Sequence, residues 1–134
     1  MSSVTISERK PLVEEYIKLR NSIGWKVLQH GKIEEGLNNS TYCVCVEDQG
    51  TIIGFGRIVG DGATVFYIQD IMVLPLYQKQ KIGTLIMKKI MDYIDSNCIE
   101  GAIIGLIAIG ELDGFYKGFG FSYNQNNRFY RYNM

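Results

Sequence analysis

The spacing of hydrophobic positions changes several times along this chain, and the changes mark out its elements. Val4 and Ile6 alternate with polar neighbours, the period-two pattern of a short strand. Pro11 opens a stretch in which Leu12, Tyr16, Leu19 and Ile23 recur at helical spacing, ending near Gly24. A shorter helix is predicted over residues 32–37. Residues 42–46 and 51–58 are β-rich runs joined by Glu47-Asp48-Gln49-Gly50, a hairpin turn. Gly60-Asp61-Gly62 turns the chain into a further strand, residues 64–73, which Pro75 stops. Residues 81–94 are helical again: Ile82, Leu85, Ile86, Ile90, Met91 and Ile94 form an apolar stripe, while Lys88, Lys89, Asp92 and Asp95 face water. The continuous apolar run at residues 102–109 reads as a buried strand. A short helix over 112–117 and an aromatic tail, residues 119–132, predicted as two strands, complete the pattern.

A run of antiparallel strands followed by one strand–helix–strand crossover implies an α/β (α+β) fold. It would have a mixed, mostly antiparallel central sheet with helices on both faces and a right-handed crossover. No linker, repeat or low-complexity tract divides the sequence, so residues 1–134 are expected to form a single domain.

Composition narrows the function. Fourteen basic residues balance fourteen acidic ones, which gives no support for a nucleic-acid or anionic-membrane surface. No apolar run is long enough to span a bilayer, and residues 2–10 are too polar for a signal-peptide core. Cys43 and Cys45 point the same way from one strand, and with Cys98 they make an odd number, so reduced thiols and a cytoplasmic setting are expected. A lone histidine, His30, and cysteines without paired ligand spacing predict no metal site.

Two stretches carry chemistry. Val73-Leu74-Pro75-Leu76-Tyr77-Gln78-Lys79-Gln80-Lys81-Ile82-Gly83-Thr84 joins a strand end, a basic loop and a helix N-terminus. Free backbone N–H groups and the positive helix end make such a junction an anion site, and Gly83 would let a phosphate approach the backbone. The plainer reading is a strand-to-helix turn with solvated lysines. Phe115-Tyr116-Lys117-Gly118-Phe119-Gly120-Phe121 reads alone as aromatic packing around a tight turn.

Taken together, the two stretches resemble the GCN5-related N-acetyltransferase family. Its Gln/Arg-x-x-Gly-x-Gly/Ala signature falls on Gln78-Lys79-Gln80-Lys81-Ile82-Gly83, after the strand end Val73-Leu74-Pro75-Leu76-Tyr77, and its later Phe-Tyr element falls on Phe115-Tyr116. Gly54-Phe55-Gly56-Arg57-Ile58-Val59-Gly60-Asp61-Gly62 also looks like small bacterial-type members. The resemblance covers residues 42–121. It departs at Lys81, which replaces the first glycine of the signature, and in the absence of an asparagine after the penultimate strand. A residue in right-handed helical geometry with a free N–H would serve at Lys81.

The resemblance implies acetyl transfer from acetyl-coenzyme A directly to a primary amine of a small molecule or peptide. Ile71, Met72, Val73, Gln78, Lys79, Gln80, Lys81, Ile82, Gly83 and Thr84 would bind the coenzyme beside a splay in the strand. Tyr116 would be the acid that protonates the leaving thiolate. Asp70 is the expected base, directly or through a water; equally, it could be a structural carboxylate paired with Arg57. Glu111 and Asp113 are weaker substitutes. A non-catalytic acetyl-coenzyme A-binding module on the same fold is the alternative. Acceptor choice would fall to residues 23–39, with Trp25, Tyr42 and Phe66 as pocket walls or core. A homodimer through the edge at residues 128–132 is also expected.

Overall fold

A computed structural model describes residues 4–26, 28–108 and 112–123. In chain order they form β1 (Val4–Ser7), α1 (Val13–Ser22), α2 (His30–Asn38), β2 (Tyr42–Asp48), β3 (Thr51–Gly60), β4 (Val65–Val73), a single 3-10 turn (Pro75–Tyr77), α3 (Ile82–Asn97), β5 (Ile103–Leu106) and α4 (Asp113–Lys117). The strands make one sheet in the order β1-β2-β3-β4-β5. The first three pairings are antiparallel and β4–β5 is parallel, with α3 as the connection between them. This is the mixed sheet the hydrophobic pattern predicts. The β2–β3 hairpin closes on Gln49 and Gly50, with φ of 51° and 82°. Two successive positive φ values match the right-handed twist of the strands they join.

Helices cover both faces. On one, Ile82, Ile86, Met87, Ile90 and Ile94 of α3 pack on Val44, Val46, Ile53, Ile58, Phe66 and Ile68. Gly56 makes the close approach possible, since a Cβ there would lie 2.6 Å from Ile86 and 2.7 Å from Ile71. Met87 is fully buried, whereas Leu85, expected in the stripe, is 37% exposed. The two lie 100° to either side of Ile86, so periodicity cannot choose between them. The sheet lies on the Met87 side.

On the other face, Val13, Tyr16 and Leu19 of α1 and Ile33 and Leu37 of α2 cover Cys43, Cys45, Ile52, Phe55 and Met72. Leu12 is exposed and Val13 takes its place, because Leu12 is the N-cap. Its N–H donates to the Glu15 carboxylate at 2.8 Å. Arg9 bridges Glu15 and Glu47 at 2.9 and 3.3 Å, tying α1 to β2.

One expectation is corrected here. The 102–109 run is not a buried strand: β5 keeps four residues, and Ile103 is 67% exposed. Among the described residues β5 pairs with β4 alone, so it is an edge. Of the tail predicted as two strands, residues 119–123 are described and form no strand; its remainder, including the edge at residues 128–132, lies outside the described residues, as does Glu111. Among the described residues no helix is long and apolar enough to cross a membrane.

Candidate active site

The site begins where β4 breaks its alternation. Phe66 and Ile68 face α3, and a regular strand would send residue 70 the same way. Asp70 instead has a φ of 60°, and the pairing with β3 slips, so that Phe55 opposes Met72 while Arg57 opposes Gln69. The extra β4 residue is a bulge, and it exchanges the two faces. Beyond it Ile71 and Val73 pack toward α3, while Asp70 and Met72 belong to the α1–α2 side. The β4–β5 pairing covers only residues 65–68 of β4. From the bulge onward, among the described residues, the β5 side of β4 is open at Ile71, Met72 and Val73.

Asp70 is buried, its side chain fully shielded from water. Its carboxylate accepts from Arg57 Nε at 2.9 Å, from the Tyr16 hydroxyl at 2.5 Å and from Gln69 Nε2 at 3.1 Å. Arg20 Nη1 stands 3.6 Å away. The Arg57 pair expected for a structural Asp70 is therefore formed, and Tyr16 and Arg20 are further partners that no local pattern signals. Burial, reinforced by the Asp70 charge, pushes the Tyr16 phenol up to about 12, so it stays a donor. Arg57 Nη1 also donates to Gly36 O and Ser40 Oγ, at 3.3 and 3.1 Å.

Past β4 the loop is held by its own side chains. Gln78 Nε2 donates to Val73 O at 3.0 Å and Gln80 Nε2 to Leu76 O at 3.1 Å. The Tyr77 hydroxyl donates to Asp48. Lys79 and Lys81 both have a φ of 66°. The expectation of right-handed geometry at Lys81 is thus wrong. The chain must reverse into α3 within one residue, which takes the left-handed conformation glycine supplies in relatives.

Lys81 caps α3 with no side-chain hydrogen bond. The first backbone N–H of the helix to find an acceptor is that of Leu85, on Lys81 O at 3.1 Å. The N–H groups of Ile82, Gly83 and Thr84 are left for an anion. A Cβ at Gly83 would meet the Phe115 ring at 3.6 Å, an ordinary van der Waals distance. Phe115 thus seats α4 on the start of α3.

Tyr116 follows Phe115 on α4, half-buried, with ring centroids 4.9 Å apart and edge-on. Burial raises its phenol above the ordinary tyrosine value. Tyr116 packs against the α3-side core together with Phe121.

A cavity of about 210 Å³ opens on the other face, lined by Tyr16, Leu28, Gln29, Lys32, Ile33, Gly36, Leu37 and Arg57. It falls within the 23–39 region expected to choose the acceptor. None of the aromatic walls considered from sequence takes part: Trp25 is 40% exposed, Tyr42 stacks on Tyr93, and Phe66 is core. Among the described residues, no group of three His, Cys, Asp or Glu side chains could hold a metal ion.

Residues 11–121 match the model of the acetyltransferase (GNAT) family. The chloroplastic GCN5-related N-acetyltransferase 3 of Arabidopsis thaliana is 35% identical over 72 residues, covering 54% of this chain and 30% of that protein's length. A Staphylococcus aureus protein of unknown function, described as a probable acetyltransferase, superposes with a TM-score of 0.91 at 37% identity over 98% of both chains. A GNAT-family acetyltransferase of Streptococcus pneumoniae gives 0.75 at 28% identity, over 89% of this chain and 87% of its own. The glucosamine-6-phosphate N-acetyltransferase of Arabidopsis thaliana shares the fold at a TM-score of 0.71 and 17% identity, over 96% of this chain and 98% of that one.

Proposed function

Because the chain belongs to the acetyltransferase (GNAT) family, we propose that it transfers acetyl from acetyl-coenzyme A directly to a primary amine of a small molecule. The observation that carries this is the opening of β4 at Asp70 and Ile71, together with a helix N-terminus that has no side-chain cap and a half-buried tyrosine. Those features fit the parts of one elongated ligand. The 79–84 backbone suits a pyrophosphate, with the left-handed Lys79 and Lys81 turning N–H groups to one side. The unpaired backbone edge of Ile71, Met72 and Val73 suits an amide-bearing arm and a thioester oxygen. Bound there, acetyl-coenzyme A would supply the activated acyl group.

The residues then divide the work. An amine N–C bond forms as the C–S bond breaks; the amine sheds one proton to solvent and the sulfur gains one. Tyr116 holds that second proton, because burial keeps its phenol neutral, and recovers one from water afterwards. Asp70 is a positioning residue in this scheme. Both its oxygens are engaged, so it fixes the bulge and orients Arg57 and Tyr16 instead of meeting the amine. Tyr116→Phe removes only the hydroxyl. In single turnover the chemical step should slow by roughly a hundredfold or more, with acetyl-coenzyme A affinity nearly unchanged. A parental rate in a folded variant would remove Tyr116 from the mechanism. Tight coenzyme binding with no thiol release across an amine panel would leave a binding module instead.

A further inference from the structure

Resting on the acetyltransferase assignment, we propose that the cavity between α1, α2 and β3 takes an acceptor that carries an oxyanion as well as its primary amine, and that Arg57 Nη2 holds that oxyanion. Two walls of the cavity reach the residue that precedes the open stretch of β4. Tyr16 and Arg57 line it, and both hydrogen-bond to Asp70, the residue before Ile71.

The donor balance at Arg57 motivates the assignment. Nε is taken by Asp70, and Nη1 by Gly36 O and Ser40 Oγ. Nη2 donates to nothing among the described residues. No buried side-chain nitrogen or oxygen there lacks a partner, so Nη2 faces accessible space. A charged guanidinium nitrogen at the wall of a cavity can donate to a carboxylate or phosphate oxygen.

Charge points the same way. The lining holds two cations, Arg57 and Lys32, and no carboxylate. Asp70 does not cancel the inner charge, because Arg20 leans on the same carboxylate as Arg57. Lys32 pairs with Glu35 at 3.0 Å, but both are largely exposed and the pair is screened. A plain ammonium would be repelled from such a cavity. An amine tethered to an oxyanion would be drawn in, and its nitrogen would rest among cations that favour the neutral form. That form is the nucleophile, and free alkyl amines supply it only at roughly one part in a few thousand at pH 7. The volume suits a compact molecule, since drug-sized pockets run to roughly 300–1,000 Å³.

Gly36 offers a test of the place. It sits within α2, lines the cavity, and a Cβ there would meet nothing within 4 Å. Gly36→Leu should fold, since leucine is the better helix former, and fill the space. The probes are short ω-amino carboxylates, their carboxamides, and ω-amino phosphonates of matched length. They are followed by thiol release with acetyl-coenzyme A and by calorimetric binding with coenzyme A present.

The anionic amines should exceed their carboxamides by roughly tenfold or more in kcat/KM and in affinity. The carboxylate and phosphonate arms report which oxyanion fits. Gly36→Leu should erase the preference while leaving acetyl-coenzyme A affinity unchanged. Arg57→Lys keeps a charge beside Asp70 but loses the nitrogen left for the oxyanion, and should reduce the preference severalfold. Equal use of anionic and uncharged amines overturns the oxyanion site and leaves acetyl transfer standing. Absence of any transfer, with anionic amines still bound selectively and excluded by Gly36→Leu, overturns the acetyltransferase assignment and leaves the oxyanion site standing.

Discussion

On the α3 face of the sheet, Ile86, Met87, Ile90 and Ile94 are wholly buried against aliphatic strand residues, and two glycines bring helix and strand together. On the α1–α2 face, the strands supply Asp70 and Arg57 and α1 supplies Tyr16 and Arg20, and of these Tyr16 and Arg57 reach the cavity wall. One face maximises contact; the other keeps ionised groups under cover, where each depends on its partners. The contrast separates what holds the fold from what shapes the site.

Asp70→Asn should break the polar face with the largest effect. Asparagine tolerates positive φ nearly as well as aspartate, so the change isolates the charge. Arg57 and Arg20 would then sit mostly buried without a counter-ion. The expected loss in urea unfolding is about 3 kcal/mol, the lower end of the range for such pairs, because the guanidiniums keep 16% and 11% exposure. A loss below roughly 1 kcal/mol would mean that solvent already screens the cluster.

Gly56→Ala probes the apolar face. Its Cβ would press on the branch methyl of Ile86, which χ1 holds in place, and on the tip of Ile71, and approach the tip of Ile90 at 3.0 Å. Side-chain tips can shift, so overpacking of about 1–3 kcal/mol is expected, with acceptor selectivity unchanged. Altered selectivity would show that the two faces are coupled through the bulge, since Ile71 lies beside Asp70.

The smallest effect belongs to the loop. Lys81→Gly removes the cost of a left-handed lysine while adding freedom to the unfolded chain. The net change should stay within about 1 kcal/mol, and acetyl-coenzyme A should bind at least as well as before. A large loss of affinity would assign the ammonium, and not the backbone, to the ligand.

Element order, sheet class and the α3 ridge were legible because they follow from spacing that no neighbour overrides. The single long strand expected over residues 64–73 concealed the bulge, since period-two alternation continues in letters while the backbone skips a residue at Asp70. Left-handed Lys79 and Lys81 were invisible for a related reason: local pattern marks positive φ only where glycine or asparagine stands. The continuous apolar run at residues 102–109 suggested burial on both sides, but β5 lies at the edge among the described residues. Of the candidate site, the loop and Tyr116 were readable as motif. The cavity was not, because its walls come from α1, α2 and β3, brought together only by folding.

Cys43 and Cys45, side by side beneath α1 and α2, give the chain a built-in clock. Both are free and buried, and burial drives the Cys45 thiol up to about 12 and raises that of Cys43. A thiol so placed reacts with an alkylating reagent only when the helices above it lift. Cys98, partly exposed at the end of α3, needs no such event and calibrates the reagent. The labelling rates of Cys43 and Cys45, each divided by that of Cys98, therefore time the opening of the α1–α2 cover without any engineered cysteine.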